Sequence, residues 1–257
     1  MKNKIFEMVM FATFASIILL MALVPNLGYL TFIPGISITI IHIPVLIGIM
    51  LLSFWYALGL GLVFGLSSLI ASYMYASSPG DIAFQNPLVS VIPRILFAVV
   101  AFGIIIALKK IQTKEKGTII NFIIVSLITV GFIVAGAISL NASTNWPLYL
   151  IVILAVLSTA TLIVGYAFFL FKSKHKHLAY VPSSMILSTL VHSFLVLSMI
   201  AVVRPDAFGD GNIFYTILTI IAFNSVIEAL TAVVIGSPIV FALNNLRGYE
   251  YVTVWCW

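Results

Sequence analysis

Six polar side chains stand in or beside long apolar runs of this chain, and their chemistry suits the recognition of a small polar molecule. They are His42, Asn86, Arg94, His192, Asn224 and Glu228. Arg94 opens an apolar run that carries no other charge up to Leu108. A buried charge is expensive, so it indicates a specific role. Because a guanidinium can give two parallel hydrogen bonds, Arg94 is the candidate anchor for a carboxylate or a phosphate-like group.

Arg94 and Asn86 also have structural interpretations. Arg94 could reach the membrane interface, or it could hold the 76–91 loop through backbone carbonyl groups. Asn86 precedes Pro87, so its side chain could simply form an Asx turn. Both alternatives remain open on the sequence alone.

His42, His192 and Glu228 could likewise have either a ligand-binding or a structural role. His42 could bind a ligand, or it could brace a helix break before Pro44. His192 could bind a ligand or be a core histidine whose hydrogen bonds are made by its neighbours. Glu228 is the most expensive of these side chains to bury if it is ionised. We therefore expect it to be protonated, to pair with His192 or to face a wet cavity.

Position along the apolar runs predicts the depth of each side chain, at roughly 1.5 Å per residue. His42 and Arg94 are predicted to lie close to the outer surface. The residues predicted near the middle of their segments are His192, Asn224 and Glu228. Asn224 and Glu228 are four residues apart, so they share a helix face. A second polar stripe on the preceding segment is formed by Thr189, His192 and Ser193.

The composition is that of an integral membrane protein. Apolar residues make up 63% of the chain and charged residues 7%, with a mean hydropathy of +1.25. Cys256 is the single cysteine, which excludes a disulfide within the chain and a cysteine-based metal site. His175 and His177 have no other nearby ligands, so we predict no metal and no cofactor. The lysines fall in short blocks between apolar runs, which is typical of topology signals and not of nucleic-acid binding.

Eight apolar segments approach the length needed to cross a bilayer of about 30 Å, which predicts an all-α, polytopic membrane helical bundle. Their cores are residues 6–24, 38–52, 56–75, 92–108, 118–140, 147–171, 181–203 and 213–243. The second segment is short and carries Pro44, so we expect a bent or broken helix there. In this arrangement ten of the twelve Lys and Arg residues fall on one side, which predicts a multi-pass protein with both termini cytoplasmic.

Three stretches of the chain combine small and polar residues within apolar sequence. The first runs from Ile38 to Leu69 and includes His42, Pro44 and the glycine-rich run that starts at Tyr56. The second contains Asn86-Pro87 and Pro93-Arg94, and the third runs from Asn224 to Pro238. As a set, these motifs resemble the substrate-binding S components of energy-coupling factor (ECF) vitamin transporters. The resemblance covers residues 1–110 and 180–246.

The resemblance implies a protein of a bacterial cell membrane that captures a vitamin or vitamin precursor outside and delivers it when an energising module docks. That module consists of an ECF transmembrane coupling subunit and two ATPase subunits. The sequence has no G-x-x-x-x-G-K-[ST] motif, so any ATP hydrolysis must come from another polypeptide. Docking in the family uses small residues of the first helix, which correspond here to Ala12, Ala15 and Ser16. Alternatively, this face packs inside the bundle.

The chain departs from the six-helix family pattern in its middle. Residues 111–179 encode two additional apolar segments between the fourth and fifth family-like helices. The predicted organisation is therefore a first bundle part (1–110), an inserted helix pair (111–179), the last two bundle helices (180–246) and a cytoplasmic tail (247–257). Because two is an even number, the insertion preserves the orientation of everything that follows.

Only the charge of Arg94 indicates which ligand this chain binds. An arginine near the mouth of a cavity favours an acidic ligand of modest size, so pantothenate is the leading candidate, ahead of folate, cobalamin and riboflavin. An ion-coupled secondary transporter that uses Glu228 is the alternative, although no internal repeat relates the two halves. An enzyme is not predicted, because His42, His192 and Glu228 are scattered and neither H-E-x-x-H nor G-x-S-x-G occurs.

Overall fold

A computed structural model describes residues 2–25, 27–33, 36–76, 78–171, 176–209 and 211–245, and this part of the chain forms an all-α membrane bundle. Seven of its helices are long and apolar enough to cross a membrane. One continuous core of buried aliphatic and aromatic side chains joins them. The predicted fold class is confirmed. The tail 247–257 lies outside the described residues, as do Lys172 and Lys174.

The helices are α1 (Lys2–Leu23), α2 (His42–Leu51), α3 (Phe54–Tyr75), α4 (Pro79–Ala83), α5 (Pro87–Ser90), α6 (Ile92–Gln112), α7 (Gly117–Ser143), α8 (Leu148–Phe171), α9 (Tyr180–Val203), α10 (Ile213–Ile220) and α11 (Val226–Asn245). Two short strands, β1 (Tyr29–Ile33) and β2 (Ile36–Thr39), lie between α1 and α2. Short 3-10 turns occupy Lys176–Leu178 and Pro205–Phe208, and a π-helical segment, Ile221–Ser225, joins α10 to α11.

Two hydrogen bonds identify opposite ends of the bundle. At one end the Ser53 hydroxyl donates to Oε2 of Glu7 over 3.1 Å. We call this the basic end, because the lysines near the start of α1 and around the α6–α7 turn lie here. At the other end, the Tyr75 hydroxyl donates to the Leu23 carbonyl over 2.9 Å. The second end also carries α4 and the Pro205–Phe208 turn, which pack together.

The second predicted membrane segment, 38–52, is not a single spanning helix. Its first part is strand β2, which pairs with β1 in an antiparallel hairpin, and only ten residues form α2. A helix of that length reaches about 15 Å, roughly half a bilayer core. Because α2 ends next to Ser53 at the basic end, its first residue, His42, lies inside the bundle. The hairpin and α2 together take the place of one span.

The local sequence accounts for this division. Residues 36–41 alternate isoleucine with serine and threonine before a final Ile-Ile, and branched side chains of this kind favour strands. Pro44 then falls in the first turn of α2, where its missing backbone N–H group would have had no helical partner. The expected break is therefore present, but it separates a strand from a helix.

The helices encoded by 111–179 are integrated into the bundle. Helix α7 packs against α10 so closely that a Cβ atom on Gly136 would lie 2.7 Å from the Leu218 carbonyl oxygen. Helix α8 lies further out and is joined to α9 by a 2.7 Å hydrogen bond between the Tyr166 and Ser183 hydroxyl groups. Both helices therefore contact the last helices of the chain directly.

Gly136 gives the first testable prediction. We expect Gly136→Val to lower the free energy of unfolding by about 2 kcal/mol, because the added side chain forces α7 away from α10. Gly131 on the same helix has open space at its Cβ position, so Gly131→Val is the matched control and should be nearly neutral. Thermal unfolding of the purified variants in detergent makes the comparison. Equal melting temperatures for the two variants would contradict the close packing of α7 on α10.

Candidate functional site

The structure brings five of the six candidate side chains into the neighbourhood of the hairpin. His42, Arg94, His192 and Glu228 are each no more than 4% exposed. They come from four different helices, α2, α6, α9 and α11, and Asn224 joins them from the π-helical segment. Four ionisable groups buried together within a membrane bundle are costly to maintain, so this cluster is the candidate functional site.

The two histidines stack on one another in the middle of the bundle. Their ring centroids are 5.6 Å apart with an interplanar angle of 13°. Phe97 and Phe64 approach the His192 ring at 4.9 Å and 5.4 Å, so the pair lies in an aromatic environment. The prediction that His42 lies near the outer surface is wrong, because His42 is fully buried and the ten-residue helix α2, which it begins, reaches only about halfway across the bundle from the basic end. The two histidines are likewise not scattered, although the sequence suggested that they were.

One hydrogen bond defines the tautomer of His42. Its Nε2 atom lies 3.1 Å from the Thr189 hydroxyl oxygen. That hydroxyl already donates to the Met185 carbonyl, so it accepts a hydrogen bond from Nε2–H. On His192, the buried Nδ1 atom has no hydrogen-bond partner within the described ranges. The Nδ1 atom of His42 is likewise buried without a hydrogen-bond partner in these ranges, so each histidine has a ring nitrogen left for a ligand.

Arg94 is buried beside two aromatic rings. Its guanidinium carbon lies 4.7 Å from the ring centroid of Phe84 and 5.5 Å from that of Phe64. One terminal nitrogen donates to the Val89 carbonyl over 2.7 Å, which is the loop-holding contact expected from the sequence. Exposure of only 3% excludes an arginine that reaches the interface.

The remaining hydrogen-bonding capacity of Arg94 is not fully used. Its Nε atom is buried and has no hydrogen-bond partner among the residues that the structure describes. No carboxylate in the same residues lies within the 4.0 Å of a salt bridge to it. An unpaired guanidinium in an apolar setting is unfavourable, so the arrangement suits an anionic group brought by a ligand.

Glu228 is engaged by neutral donors. Its Oε1 atom accepts from the Thr39 backbone N–H at 2.6 Å and from the Asn224 amide at 3.4 Å. Its Oε2 atom accepts from the Ser193 hydroxyl at 3.4 Å. Pairing with His192, one of the three alternatives open on the sequence, is not observed. Glu228 thus connects α11 to α9 and to strand β2.

Tyr29 is a site residue whose position sequence reasoning did not predict. It lies at the start of β1, and its hydroxyl oxygen is buried with no hydrogen bond within 3.5 Å in the described part of the chain, although the Ser68 side chain is near enough to interact with it. The hydroxyl is close enough to Arg94 for the two groups to interact electrostatically. The strand signal at 36–41 would have revealed the hairpin that places it here.

Asn86 lies outside this cluster and has a structural task. Its side-chain oxygen accepts from the Leu88 backbone N–H over 2.9 Å and caps α5. We expect Asn86→Ala to lower the free energy of unfolding by about 1 kcal/mol through loss of the cap. Ligand affinity should change less than twofold, which equilibrium binding can measure beside thermal unfolding. A large loss of affinity with an unchanged melting temperature would contradict this assignment.

The three small residues of α1 face outward to different degrees. Ala12 and Ser16 are exposed, and Ala15 is half-buried. The Ser16 hydroxyl donates to the Ala12 carbonyl over 2.8 Å, so it adds little polarity to this face. Packing of Ala12 and Ser16 inside the bundle is therefore excluded. In the described ranges, no group of three or more His, Cys, Asp or Glu side chains is placed to hold a metal ion.

Comparison with known proteins gives a partial match. No protein-family model matches the chain. The chain is similar to the pantothenate transporter PanT of Leuconostoc mesenteroides subsp. mesenteroides, with 37% identity over 101 residues. The match covers 38% of this chain and 50% of PanT, so the chain spans about half the length of this relative.

Proposed function

We propose that this chain is a membrane transport subunit that binds a small carboxylic acid, with pantothenate as the leading candidate. The observation that carries the proposal is Arg94, a buried guanidinium without a carboxylate partner among the described residues and with an unused Nε donor. Pantothenate brings a carboxylate to such a group, and its hydroxyl and amide groups suit the neutral donors and acceptors nearby. The similarity to PanT agrees with this ligand.

In this proposal the ligand lies among the hairpin, α6 and α9. The carboxylate faces Arg94, where a desolvated charge pair is strong because water is excluded. The apolar part of the ligand lies against the aromatic rings, and His192 Nδ1 accepts a hydrogen bond from a ligand hydroxyl or amide. His42 keeps its hydrogen bond to Thr189 and supports the His192 ring by stacking.

The chain acts as an S component in this proposal. Residues 1–110 and 180–246 form the substrate-binding bundle, and 111–179 form the inserted pair. The basic end is cytoplasmic, as the lysine distribution favours. The exposed Ala12 and Ser16 let the coupling subunit approach α1 closely, and two ATPase subunits supply the energy.

Direct binding tests the proposal. Radiolabelled pantothenate, folate, riboflavin and cobalamin are each incubated with the purified chain in detergent, without other subunits. We expect saturable binding of pantothenate. A folded chain that binds none of the panel would contradict the proposal.

A second candidate function is ion-coupled secondary transport. The observation that favours it is Glu228, a carboxylate that is 3% exposed and receives hydrogen bonds from three neutral donors. Buried carboxylates of this kind carry protons or ions in many transporters. Uptake into proteoliposomes separates the two candidates. Uptake by the chain alone, driven by a proton gradient, would favour the ion-coupled function, whereas dependence on ATPase subunits supports the S component.

A further inference from the structure

We propose that Tyr29 is a second donor to the anionic group that Arg94 binds, and that Glu228 is the positioning residue that holds Tyr29 there through the hairpin. This inference rests on the proposed function, because it assumes an anionic ligand at Arg94. It gives Glu228 a task other than ligand contact or ion coupling.

The first step concerns the unused donors beside Arg94. The Tyr29 hydroxyl and the Arg94 Nε atom are both buried, and neither makes a hydrogen bond within 3.5 Å among the described residues, although the Ser68 side chain is near enough to the Tyr29 hydroxyl to interact with it. A buried polar group that lacks a partner destabilises a fold, so two such donors, close enough to interact electrostatically, indicate a missing acceptor. A carboxylate has two oxygen atoms and can accept from both groups at once.

The second step concerns what holds Tyr29 in place. Tyr29 is the direct cross-strand partner of Thr39 in the hairpin. Next to this pair, the Ile40 N–H group donates to the Gly28 carbonyl over 2.9 Å. Gly28 in turn lies against α1, where a Cβ atom would be 2.5 Å from the Met21 carbonyl oxygen. The start of β1 therefore cannot move without β2.

The third step connects β2 to the bundle. The Thr39 N–H group donates to Glu228 Oε1 at 2.6 Å, the shortest of the three Glu228 contacts. Both carboxylate oxygens of Glu228 are already engaged, and a carboxylate would repel an anionic ligand. Glu228 therefore suits a positioning task, in which it acts on the ligand through Thr39 and Tyr29.

A double-mutant cycle tests this connection. The dissociation constant of radiolabelled pantothenate is measured for wild type, Tyr29→Phe, Glu228→Ala and the double variant. We expect each single change to raise the dissociation constant about tenfold. The dissociation constant of the double variant should exceed that of either single variant by no more than about twofold. Tyr75→Phe and Glu7→Ala are the matched controls, because each removes the same group from a hydrogen bond in which no residue of the candidate site takes part.

A conservative variant distinguishes a positioning role of Glu228 from a role that needs its negative charge. Glu228→Gln keeps an oxygen acceptor for the Thr39 N–H group, so we expect it to restore affinity to within about threefold of wild type. A loss equal to that of Glu228→Ala would overturn the positioning role. If Glu228→Ala does not fold, Ser193→Ala replaces it in the cycle, since it removes one donor to the same carboxylate.

The outcomes distinguish this inference from the proposed function. Additive losses in the cycle, or unchanged affinity in Tyr29→Phe, would overturn the inference while pantothenate binding by wild type still supports the proposed function. Failure of the folded wild type to bind pantothenate would contradict both.

Discussion

We expect replacement of Arg94 by glutamine to raise the dissociation constant for pantothenate, the proposed ligand, more than 100-fold. Removing one partner of a buried, hydrogen-bonded charge pair costs about 3 kcal/mol, and each 1.4 kcal/mol is about tenfold in affinity. The ligand carboxylate would then be buried against neutral groups alone. Equilibrium binding of radiolabelled pantothenate to the purified variant measures the change.

Two further variants make the Arg94 result specific. Arg94→Lys keeps the positive charge but loses the planar fork, so we expect an intermediate loss of about tenfold. Arg204→Ala is the control for a removed arginine, because Arg204 pairs with Asp206 outside the membrane-spanning helices. That hydrogen bond holds the pKa of Asp206 below its ordinary value, so the Arg204 charge is already engaged. Unchanged affinity in a folded Arg94→Gln protein would remove Arg94 from the site.

We expect tryptophan at both Ala12 and Ser16 to abolish the proposed ATP-driven uptake and to leave ligand binding intact. Both positions are exposed on α1, so large side chains fit without disturbing the bundle. They do prevent the close backbone approach that small residues allow between membrane helices. We expect uptake into proteoliposomes with the complete transporter to fall below about a tenth of wild type. Pantothenate affinity in detergent should stay within about twofold, because α1 supplies no side chain to the site.

Ala160→Trp is the control for the bulk of the indole ring. Ala160 is exposed on α8, away from α1, and its replacement should leave uptake and binding unchanged. Normal uptake by the Ala12→Trp/Ser16→Trp variant would exclude this face of α1 from docking. Loss of ligand binding in the same variant would instead indicate that α1 contributes to the fold of the site.

The sequence predicts the bundle well because long apolar segments can satisfy their backbone groups in lipid only by forming helices. The span at 213–243 and the inserted pair follow directly from this constraint. Segment 38–52 departs from this prediction, because its first residues belong to strand β2. A hairpin is permitted there, since its backbone groups pair across the two strands. Apolar length alone does not distinguish these two structures.

The candidate site shows the same limit. Side-chain chemistry indicated Arg94, His192 and Glu228, and all three are buried where the helices converge. Depth counted along each helix placed His42 wrongly, because the count assumed a helix where β2 lies. The partners of Glu228 depend on a backbone N–H group of the hairpin, which no pattern of side chains reveals. Strand β2 therefore accounts for both of these differences.

The π-helical segment, Ile221–Ser225, determines the direction in which the side chains of α11 point. A turn with i→i+5 hydrogen bonds holds one more residue than an α-helical turn, so the side chains that follow are rotated by about 100° relative to an unbroken helix. Asn224 lies within this segment and Glu228 just after it. Deletion of a single residue here would keep the span long enough for the membrane. It would nevertheless turn the Glu228 carboxylate away from Thr39. The number of residues in this segment is therefore fixed by the site, whereas crossing the membrane requires only that they be apolar.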